Sequence, residues 1–317
     1  MAVLTFGGNP LDALNFVPKN INTIPKTWNG MTSFGGNQIW TDGTNTYYSL
    51  SGAQFVLDIN TSTWCPKTWN GLSSFTGVYI WTDGNNIYYS GNSTQKVLDV
   101  STSTWYNKTW IGWTSFTADC VWTDGTNIYY SNGTGQFVLD VSTSTWSKKT
   151  WSGLTSPDGR YIWNYGNKTY YSSGSNQKVL DSSTSTWSDT PWSGTYIDGR
   201  YVWTDGTNMY YSRASTHKVF DASTSTWSDK TWNGLTSFDG NYIWTDNTGV
   251  YYSSGNTHYA LDISTSTWSP VNIGGMSIYG DRIWNMGNVT YYSSSEQQLI
   301  LLSSSPNKPT FITYETT

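Results

Sequence analysis

Short apolar segments separated by polar turns recur along most of the chain, and none has the length or period of a helix. In the stretch from Lys67 to Lys108, four such segments are present: VYIWT, NIYYS, QKVLDV and TWYNKTW. Asp-Gly joins the first two and is the strongest short signal for a hairpin. The other two follow Gly-Asn-Ser-Thr and Ser-Thr-Ser turns. The pattern predicts four antiparallel strands.

The same unit occurs seven times in tandem. Each copy contains a Trp that is followed seven and eight residues later by a Tyr-Tyr pair, and successive Trp residues are 40 or 41 positions apart. These tryptophans are Trp40, Trp81, Trp122, Trp163, Trp203, Trp244 and Trp284. A four-stranded unit repeated at this period is typical of β-propeller blades. We therefore predict an all-β fold, a seven-bladed β-propeller of four-stranded antiparallel blades. A β-solenoid is the structural alternative, although its coils are usually shorter.

The ends of the array suggest how the ring closes. Six copies end in Ser-Thr-Trp, whereas the seventh runs into LILLSSSPNKP, and an additional KTWNG segment at residues 26–30 precedes the first copy. We expect this N-terminal segment to be the last strand of the seventh blade, paired with the sheet that contains Trp284. The propeller would then cover residues 26–303, between an N-terminal extension of residues 1–25 and a C-terminal tail of residues 304–317.

Composition narrows the classes of function. Aromatic residues make up 17% and charged residues 12% of the 317 positions, so rings can pack the blades without metals or disulfides. The net charge of −5 at pH 7 and the scattered basic residues argue against nucleic acid as a partner. Cys65 and Cys120 occupy different positions of their repeats, which indicates free thiols. Without an apolar run of about 18 residues, we expect a soluble protein with no membrane insertion, made in a reducing cytoplasm.

The connections divide between two faces of the predicted propeller. One face carries the turns between the first and second strands and between the third and fourth, which are nearly uniform Asp-Gly and Ser-Thr-Ser turns. The opposite side, called the variable face below, carries the turns between the second and third strands and the connections between blades. These include GLSSFTG, GWTSFTADC and GTYIDGR. Loops that vary on a rigid scaffold commonly carry binding sites, so we expect the ligand site on this face.

Unusual residues point to the same face. The four arginines of the chain lie at the edges of the variable connections, and both histidines replace a Gln that the other five blades carry. This Gln/His position predicts a polar ring near one mouth of the channel, whose side chains either bind hairpin backbones or face a ligand. The candidate ligand-binding residues are Arg160, Arg200, Arg213, His217, His258, Arg282 and Trp113.

A second series of tryptophans is expected on the last strand of each unit, and its role is open. Its members are Trp28, Trp69, Trp110, Trp151, Trp192 and Trp232. These rings either pack between blades or stack on sugars at an exposed rim. The Asp-Gly turns lack the alternating oxygen ligands of a calcium loop, and the two histidines are equivalent positions rather than partners in a triad. We therefore expect a non-enzymatic protein without catalytic residues, metal or cofactor.

Residues 169–187, TYYSSGSNQKVLDSSTSTW, resemble a kelch repeat in the order of aromatic-rich strand, Gly turn, strand ending in Asp, Ser/Thr turn and Trp. The resemblance covers about residues 26–303, but Tyr-Tyr-Ser stands where kelch repeats have a Gly-Gly doublet. The Trp- and Tyr-rich composition is also similar to kelch-like arrays in tail and fibre proteins of bacteriophages.

The second resemblance implies a virion surface component, made in the host cytoplasm, that binds a host-surface glycan or protein and contacts neighbouring virion proteins. Two alternatives stay open. One is a purely architectural virion protein that docks through its terminal extensions. The other is an intracellular kelch-type scaffold for a peptide partner, which would be cytoplasmic.

Overall fold

The computed structural model describes residues 21–303 except positions 92, 134, 193–195, 247–248 and 287–288. Over these residues the chain forms seven antiparallel sheets, one for each repeat. Six sheets contain the four consecutive strands of one repeat, and the seventh combines three strands of the last repeat with one from the N-terminal side. A short strand, Ile278–Tyr279, pairs antiparallel with the end of the second strand of the sixth sheet, at Ser254 and Gly255. The predicted all-β, seven-bladed propeller is confirmed.

The strands of every blade follow the same order. The first strands are Ile39–Thr41, Ile80–Thr82, Val121–Thr123, Ile162–Tyr165, Val202–Thr204, Ile243–Thr245 and Ile283–Met286. The second strands are Thr46–Leu50, Ile87–Gly91, Ile128–Ser131, Lys168–Ser173, Met209–Arg213, Val250–Gly255 and Val289–Ser293. The third strands are Ala53–Asp58, Thr94–Asp99, Gln136–Asp140, Asn176–Asp181, Thr216–Asp221, Thr257–Asp262 and Gln298–Ser303. The fourth strands are Thr63–Pro66, Thr104–Asn107, Thr145–Lys148, Thr186–Asp189, Thr226–Asp229, Thr267–Pro270 and, in the seventh blade, Ile21–Pro25.

A three-residue 3-10 helix precedes each first strand. These helices are Gly36–Gln38, Gly77–Tyr79, Ala118–Cys120, Gly159–Tyr161, Gly199–Tyr201, Gly240–Tyr242 and Gly280–Arg282. Each contacts the corresponding helices of both neighbouring blades, and the contact between the first and the last of them closes the ring. The first strands and their 3-10 helices therefore surround the axis, with the 3-10 helices on the variable face.

The seventh blade is completed by a strand from near the N-terminus. Ile21–Pro25 pairs antiparallel with Gln298–Ser303, the last strand of the seventh repeat. The sequence suggested residues 26–30 for this strand, so its position is corrected. The predicted N-terminal extension loses its last five residues to the blade. Residues 1–20 and the predicted tail, 304–317, lie outside the described residues.

The KTWNG segment connects blades instead of extending a sheet. Trp28 stacks on Trp284 of the seventh blade with ring centroids 6.2 Å apart. Asn29 exchanges backbone hydrogen bonds with the first blade, donating to Ser62 at 3.0 Å and accepting from Trp64 at 2.8 Å. The Lys26 N–H still donates to the Gln298 carbonyl of the seventh blade at 2.8 Å, whereas the backbone of Asn29 bonds to the first blade, so strand pairing ends at the beginning of this segment.

Aromatic rings fill the interfaces between blades. In every blade the first-strand Trp donates its indole N–H to a fully buried Ser, with nitrogen-to-oxygen distances of 2.8–3.0 Å. The same Trp stacks on the first Tyr of the Tyr-Tyr pair, with centroids 4.4–4.5 Å apart. The second Trp series is only 2–5% exposed. Its rings pack between blades, which decides the question that the sequence left open.

Aspartates shape the uniform face. Asp42 accepts the backbone N–H groups of Thr44 and Asn45 through one carboxylate oxygen, and the Tyr47 hydroxyl through the other at 2.8 Å. The same contacts recur at Asp83, Asp124 and Asp205. The aspartates that end the third strands hold the outer turns in a similar way. Turn chemistry therefore accounts for the regular acidic positions of this face.

Candidate functional site

Hydrogen bonds between neighbouring elements hold the loops of the variable face. The Ile197 N–H donates to the Gly174 carbonyl at 3.0 Å, and the Gln177 amide donates to the Ile197 carbonyl at 3.0 Å. The Gln side chains of the other four Gln-containing blades make the equivalent contact at 2.9–3.3 Å. Each Gln therefore ties a third strand to the connection that leads into the next blade.

The two histidines take over this contact. His217 Nε2 lies 3.0 Å from the carbonyl oxygen of Thr236, and His258 Nε2 lies 3.0 Å from that of Met276. The imidazoles are 7% and 6% exposed, and burial lowers the pKa of both. They bind backbone carbonyls rather than face a ligand, but these carbonyls belong to the connections between blades and not to the hairpins that the sequence suggested. The Gln/His ring lies on third strands, whereas first strands surround the axis, so it does not line the channel mouth as predicted.

Two other candidates have mainly packing contacts. Trp113 takes a position that most other repeats fill with Leu or Met, and it stacks on Phe137 with ring centroids 4.4 Å apart. Its half-buried ring extends the interface between blades. Arg282 lies in the 3-10 helix of the seventh blade, 5.6 Å from the ring centroid of Tyr279.

Arg160 and Arg200 occupy the same position in the 3-10 helices of the fourth and fifth blades. In both, Nε and Nη2 donate to the Asp two residues earlier, at 3.0 and 2.6 Å. This hydrogen-bonded carboxylate raises the pKa of Arg200. Their ring neighbours differ. Arg200 lies 5.0 Å from the ring centroid of Tyr161 in the preceding blade, whereas Cys120 occupies the corresponding position beside Arg160.

A cluster of arginines and tyrosines lies where the fourth and fifth blades meet. The guanidinium of Arg200 is 5.0 Å from the ring centroid of Tyr161 and 5.8 Å from that of Tyr201. That of Arg213 is 5.2 Å from Tyr201 and 5.6 Å from Tyr196, and its Nη1 donates to the Tyr196 hydroxyl at 2.9 Å. All four separations are within cation–π range. We call these five residues the Arg–Tyr cluster.

The Arg–Tyr cluster is open to solvent and contains a cation without a counter-charge. Tyr196 is 55% exposed. Asp198 forms an ion pair with Arg200, but the described residues place no carboxylate within ion-pair distance of Arg213. The hydrogen bond with the Tyr196 hydroxyl raises the pKa of Arg213, so its guanidinium stays charged. The cluster thus combines an exposed ring with a cation that can accept an anionic partner.

The sequence reasoning identified both arginines of the cluster and missed its tyrosines. Tyr196 nevertheless has a signal in the alignment of the repeats, because the other six carry Ser at its position. These serines are Ser33, Ser74, Ser115, Ser156, Ser237 and Ser277. A comparison of the connections position by position would have singled out Tyr196. Tyr161 and Tyr201 have no such signal, since Tyr occurs at their position in four repeats.

A separate cleft of about 640 Å³ opens at the rim of the second blade. Hydroxyl and amide groups line it, including Ser73, Thr94 and Asn107. Lys96 crosses its wall, donating to the Gly71 carbonyl at 2.7 Å and to the Asn107 side chain at 2.6 Å. Within the described ranges, no three His, Cys, Asp or Glu side chains are placed to hold a metal ion. In that same part of the chain, no helix is long and apolar enough to cross a membrane.

The fold is similar to solved structures of low sequence identity. The extracellular domain described for a hybrid two-component system of B. thetaiotaomicron superimposes with a TM-score of 0.62 at 8% identity. The match covers 92% of this chain and 44% of that one. The type-IX secretion component PorZ of Porphyromonas gingivalis gives a TM-score of 0.50 at 13% identity, covering 90% of this chain and 39% of PorZ.

A designed protein matches over its full length. The computationally designed Ika8 protein gives a TM-score of 0.53 at 13% identity, with 94% of this chain and 100% of Ika8 covered. This chain spans less than half of the natural neighbours. Searches against protein-family models and against curated proteins gave no match. At these identities the likeness concerns the propeller fold alone.

Proposed function

We propose that this propeller is a non-enzymatic recognition module on a virion, such as a phage tail or fibre, that binds a host-surface glycan or protein. The observation that carries the proposal is the Arg–Tyr cluster. It is an exposed, asymmetric group on the variable face of a frame whose Trp–Ser hydrogen bond and Trp–Tyr stack repeat in every blade. Propellers commonly serve as rigid supports for such loops.

The contacts of the nearby carboxylates favour binding over catalysis. Asp158 and Asp198 are held by the arginines two residues after them, and Asp239 accepts the backbone N–H of Ala214 at 2.9 Å. Carboxylates used in this way hold loops in place. A glycoside hydrolase would need two of them free to flank a scissile bond.

The proposed location combines two lines of support. The Trp- and Tyr-rich repeats resemble those of phage tail and fibre proteins, which favours a virion. The solved neighbours from B. thetaiotaomicron are described as extracellular domains, which is compatible with a function outside a cell. Mass spectrometry of purified particles tests this part directly, and absence of the protein from every particle would reject it.

Binding through the variable face can be tested with labelled protein on a glycan array and on intact bacterial cells. We expect the double variant Arg200→Ala/Arg213→Ala to lose about tenfold or more in affinity, since it removes both cations of the cluster. Lys168→Ala is the matched control, because Lys168 is an exposed cation at the start of a second strand, on the uniform face. Equal binding by the double variant and the wild type would place the site elsewhere.

A further inference from the structure

We propose that the Arg–Tyr cluster binds a sugar that carries a carboxylate, with Arg213 on the carboxylate and Tyr196 under the sugar ring. This inference rests on the proposed recognition function and narrows its ligand to one chemical class. It follows from the hydrogen-bonding capacity of Arg213, the support of Tyr196 and the local balance of charge.

Arg213 has unused donors in the geometry that a carboxylate requires. A guanidinium has five N–H groups; Nη1 of Arg213 donates to the Tyr196 hydroxyl, and the Tyr211 side chain also hydrogen-bonds this guanidinium. The described part of the chain offers Arg213 no ion pair. The planar fork of a guanidinium binds a carboxylate through two parallel hydrogen bonds. The remaining donors of Arg213 therefore fit a ligand carboxylate.

Tyr196 is held in place before any ligand arrives. On one side its ring lies close to the hairpin turn at Gly174, where a Cβ atom would be 3.5 Å from the ring. The next residue, Ile197, is fixed by its two hydrogen bonds to Gly174 and Gln177. The ring nevertheless stays 55% exposed. An exposed ring of fixed orientation can stack on the apolar face of a sugar without an ordering cost.

The charge near the cluster favours one carboxylate over a polyanion. The carboxylate of Asp198 compensates Arg200, and that of Asp239 is bound 2.9 Å from the Ala214 nitrogen, directly after Arg213. Arg200 is thus already paired and Asp239 holds a backbone N–H, so Arg213 is a single cation without an ion pair among the described residues, which fits one carboxylate. A polyphosphate, an anionic lipid surface or a nucleic acid requires a field of several uncompensated cations.

The cluster occurs once among the described residues of the variable face. Arg160 has the same carboxylate contact as Arg200, but Cys120 replaces the tyrosine beside it. Arg282 has the ring of Tyr279 within 5.6 Å. Arg282 is thus a single arginine beside a single ring. In the Arg–Tyr cluster, Arg200 and Arg213 both contact the ring of Tyr201. We infer a single site at the junction of the fourth and fifth blades.

The test uses the whole protein and two probes that differ in one group. The first is an oligosaccharide that contains uronic acid, and the second is the same oligosaccharide after reduction of its carboxyl groups to hydroxymethyl groups. By calorimetry, we expect the wild type to bind the first probe about tenfold or more tightly than the second, because a hydrogen-bonded charge pair is lost on reduction. Arg213→Ser should remove this preference, and Arg213→Lys should restore part of it.

Two further variants separate the roles of the cluster residues. Tyr196→Ser installs the residue that the other six repeats carry, so it should fold normally and lose affinity for both probes. Arg160→Ala keeps every cluster residue and should bind as the wild type does.

The outcomes distinguish this inference from the function on which it rests. Equal affinity for the two probes, or binding of neutral array sugars alone, would overturn the carboxylate assignment and leave the recognition function standing. Binding of an oligoglutamate peptide in preference to both sugars would replace the sugar with an acidic peptide. Absence of binding to any array sugar, to the peptide and to cells would overturn both proposals.

Discussion

At the scale of single residues, one buried hydrogen bond and one ring stack recur in every blade. The indole N–H of the first-strand Trp reaches a Ser that is fully buried, as Trp122 does with Ser131 at 3.0 Å. If the hydroxyl were absent, the indole N–H would be buried without an acceptor, at a cost of about 1–3 kcal/mol. The same pair appears in every blade, so stability is spread over seven equivalent positions.

Backbone strain and steric contact can be measured separately at two glycines that have similar φ values. Gly206 and Gly234 have φ values of +93° and +85°. No atom lies within 4 Å of a Cβ built on Gly206, whereas one on Gly234 would be 1.9 Å from the carbonyl oxygen of Trp268. We expect Gly206→Ala to lower the free energy of unfolding by about 1–2 kcal/mol and Gly234→Ala by clearly more. Urea unfolding measures the free energy of unfolding of both variants. Equal decreases would contradict the steric contact between a Cβ atom at position 234 and the Trp268 carbonyl.

The buried histidines predict a specific dependence of stability on pH. Burial lowers the pKa of His217 and His258 in the folded state, so the unfolded chain binds more protons below its own histidine pKa of about 6.5. Their contribution to the free energy of unfolding is therefore present above about pH 6.5 and falls as the pH drops toward 5. Protonation would also place a donor on the buried Nδ1 atoms, which have no partner among the described residues.

The double variant His217→Gln/His258→Gln should unfold with less difference between pH 7 and pH 5 than the wild type. Gln is the residue of the other five blades and binds the same kind of carbonyl, so the fold provides its own matched replacement. Urea midpoints at the two pH values test this. Turn aspartates do not interfere with this comparison. The Ser101 and Thr102 hydroxyls lower the pKa of Asp99, so carboxylates of this kind change the free energy of unfolding only below about pH 4. An unchanged pH dependence in the variant would exclude the histidines as its source.

At the scale of the element, the unit that stacks is the blade together with the connection that follows it. Among the described residues, five of the connections that follow a fourth strand bridge to the outer strand of the next blade, as Asn70 does with Thr104 and Asn233 does with Thr267. The Trp of that connection fills the interface. A blade therefore depends on residues that belong, along the chain, to the preceding repeat.

The N-terminal strand gives a test at this scale. A variant that begins at residue 21 keeps the partner of Gln298–Ser303, whereas one that begins at residue 26 leaves that strand as an open edge. We expect the first to match the thermal stability and monodispersity of the full chain, and the second to melt at lower temperature and aggregate. Equal behaviour of both variants in thermal melts and gel filtration would contradict the importance of this pairing.

Deletion of residues 1–20 also tests the alternative in which the protein is a purely architectural virion component. Removal of residues 1–20 leaves Ile21–Pro25 in place, so a loss of particle assembly with normal folding would favour docking through the N-terminus. Removal of residues 1–25 would disturb the seventh blade as well and could not separate the two effects.

At the scale of the whole molecule, the ring of 3-10 helices joins the last blade to the first. Gly280–Arg282 contacts Gly36–Gln38, so every blade has two neighbours. In an open repeat array the end units can unfold separately, whereas a closed ring has no end unit. We expect Trp fluorescence and far-UV circular dichroism to report one coincident unfolding transition.

The variant that begins at residue 26 provides the comparison for this prediction. Loss of the strand that pairs with the seventh blade weakens the junction between the last and first blades. We expect its two spectroscopic transitions to separate. Separate transitions in the full chain would show instead that the blades unfold independently.

Several features could be predicted from the sequence because they depend on neighbours in the chain. The Asp-Gly hairpins, the alternation of short apolar segments and the period of 40 or 41 residues identify the blade and its copy number. Strand limits were less accurate. The beginning of VYIWT is part of the 3-10 helix Gly77–Tyr79, since it contacts the neighbouring blades at the axis instead of pairing in its own sheet.

The sequence by itself determined the fold class, the number of blades and the face on which irregular loops gather, because local turn and strand preferences repeat in every unit. Tertiary structure alone decided which side chains meet. Arg213 lies 17 residues from Tyr196, and Tyr161 is farther still, yet they share one cluster because blades four and five are packed side by side. Tertiary structure also decided the role of the Gln/His position. The sequence placed these side chains at the channel mouth, whereas in the structure they hold the loops of the variable face. These contacts depend on distances between blades, which no pattern within one repeat contains.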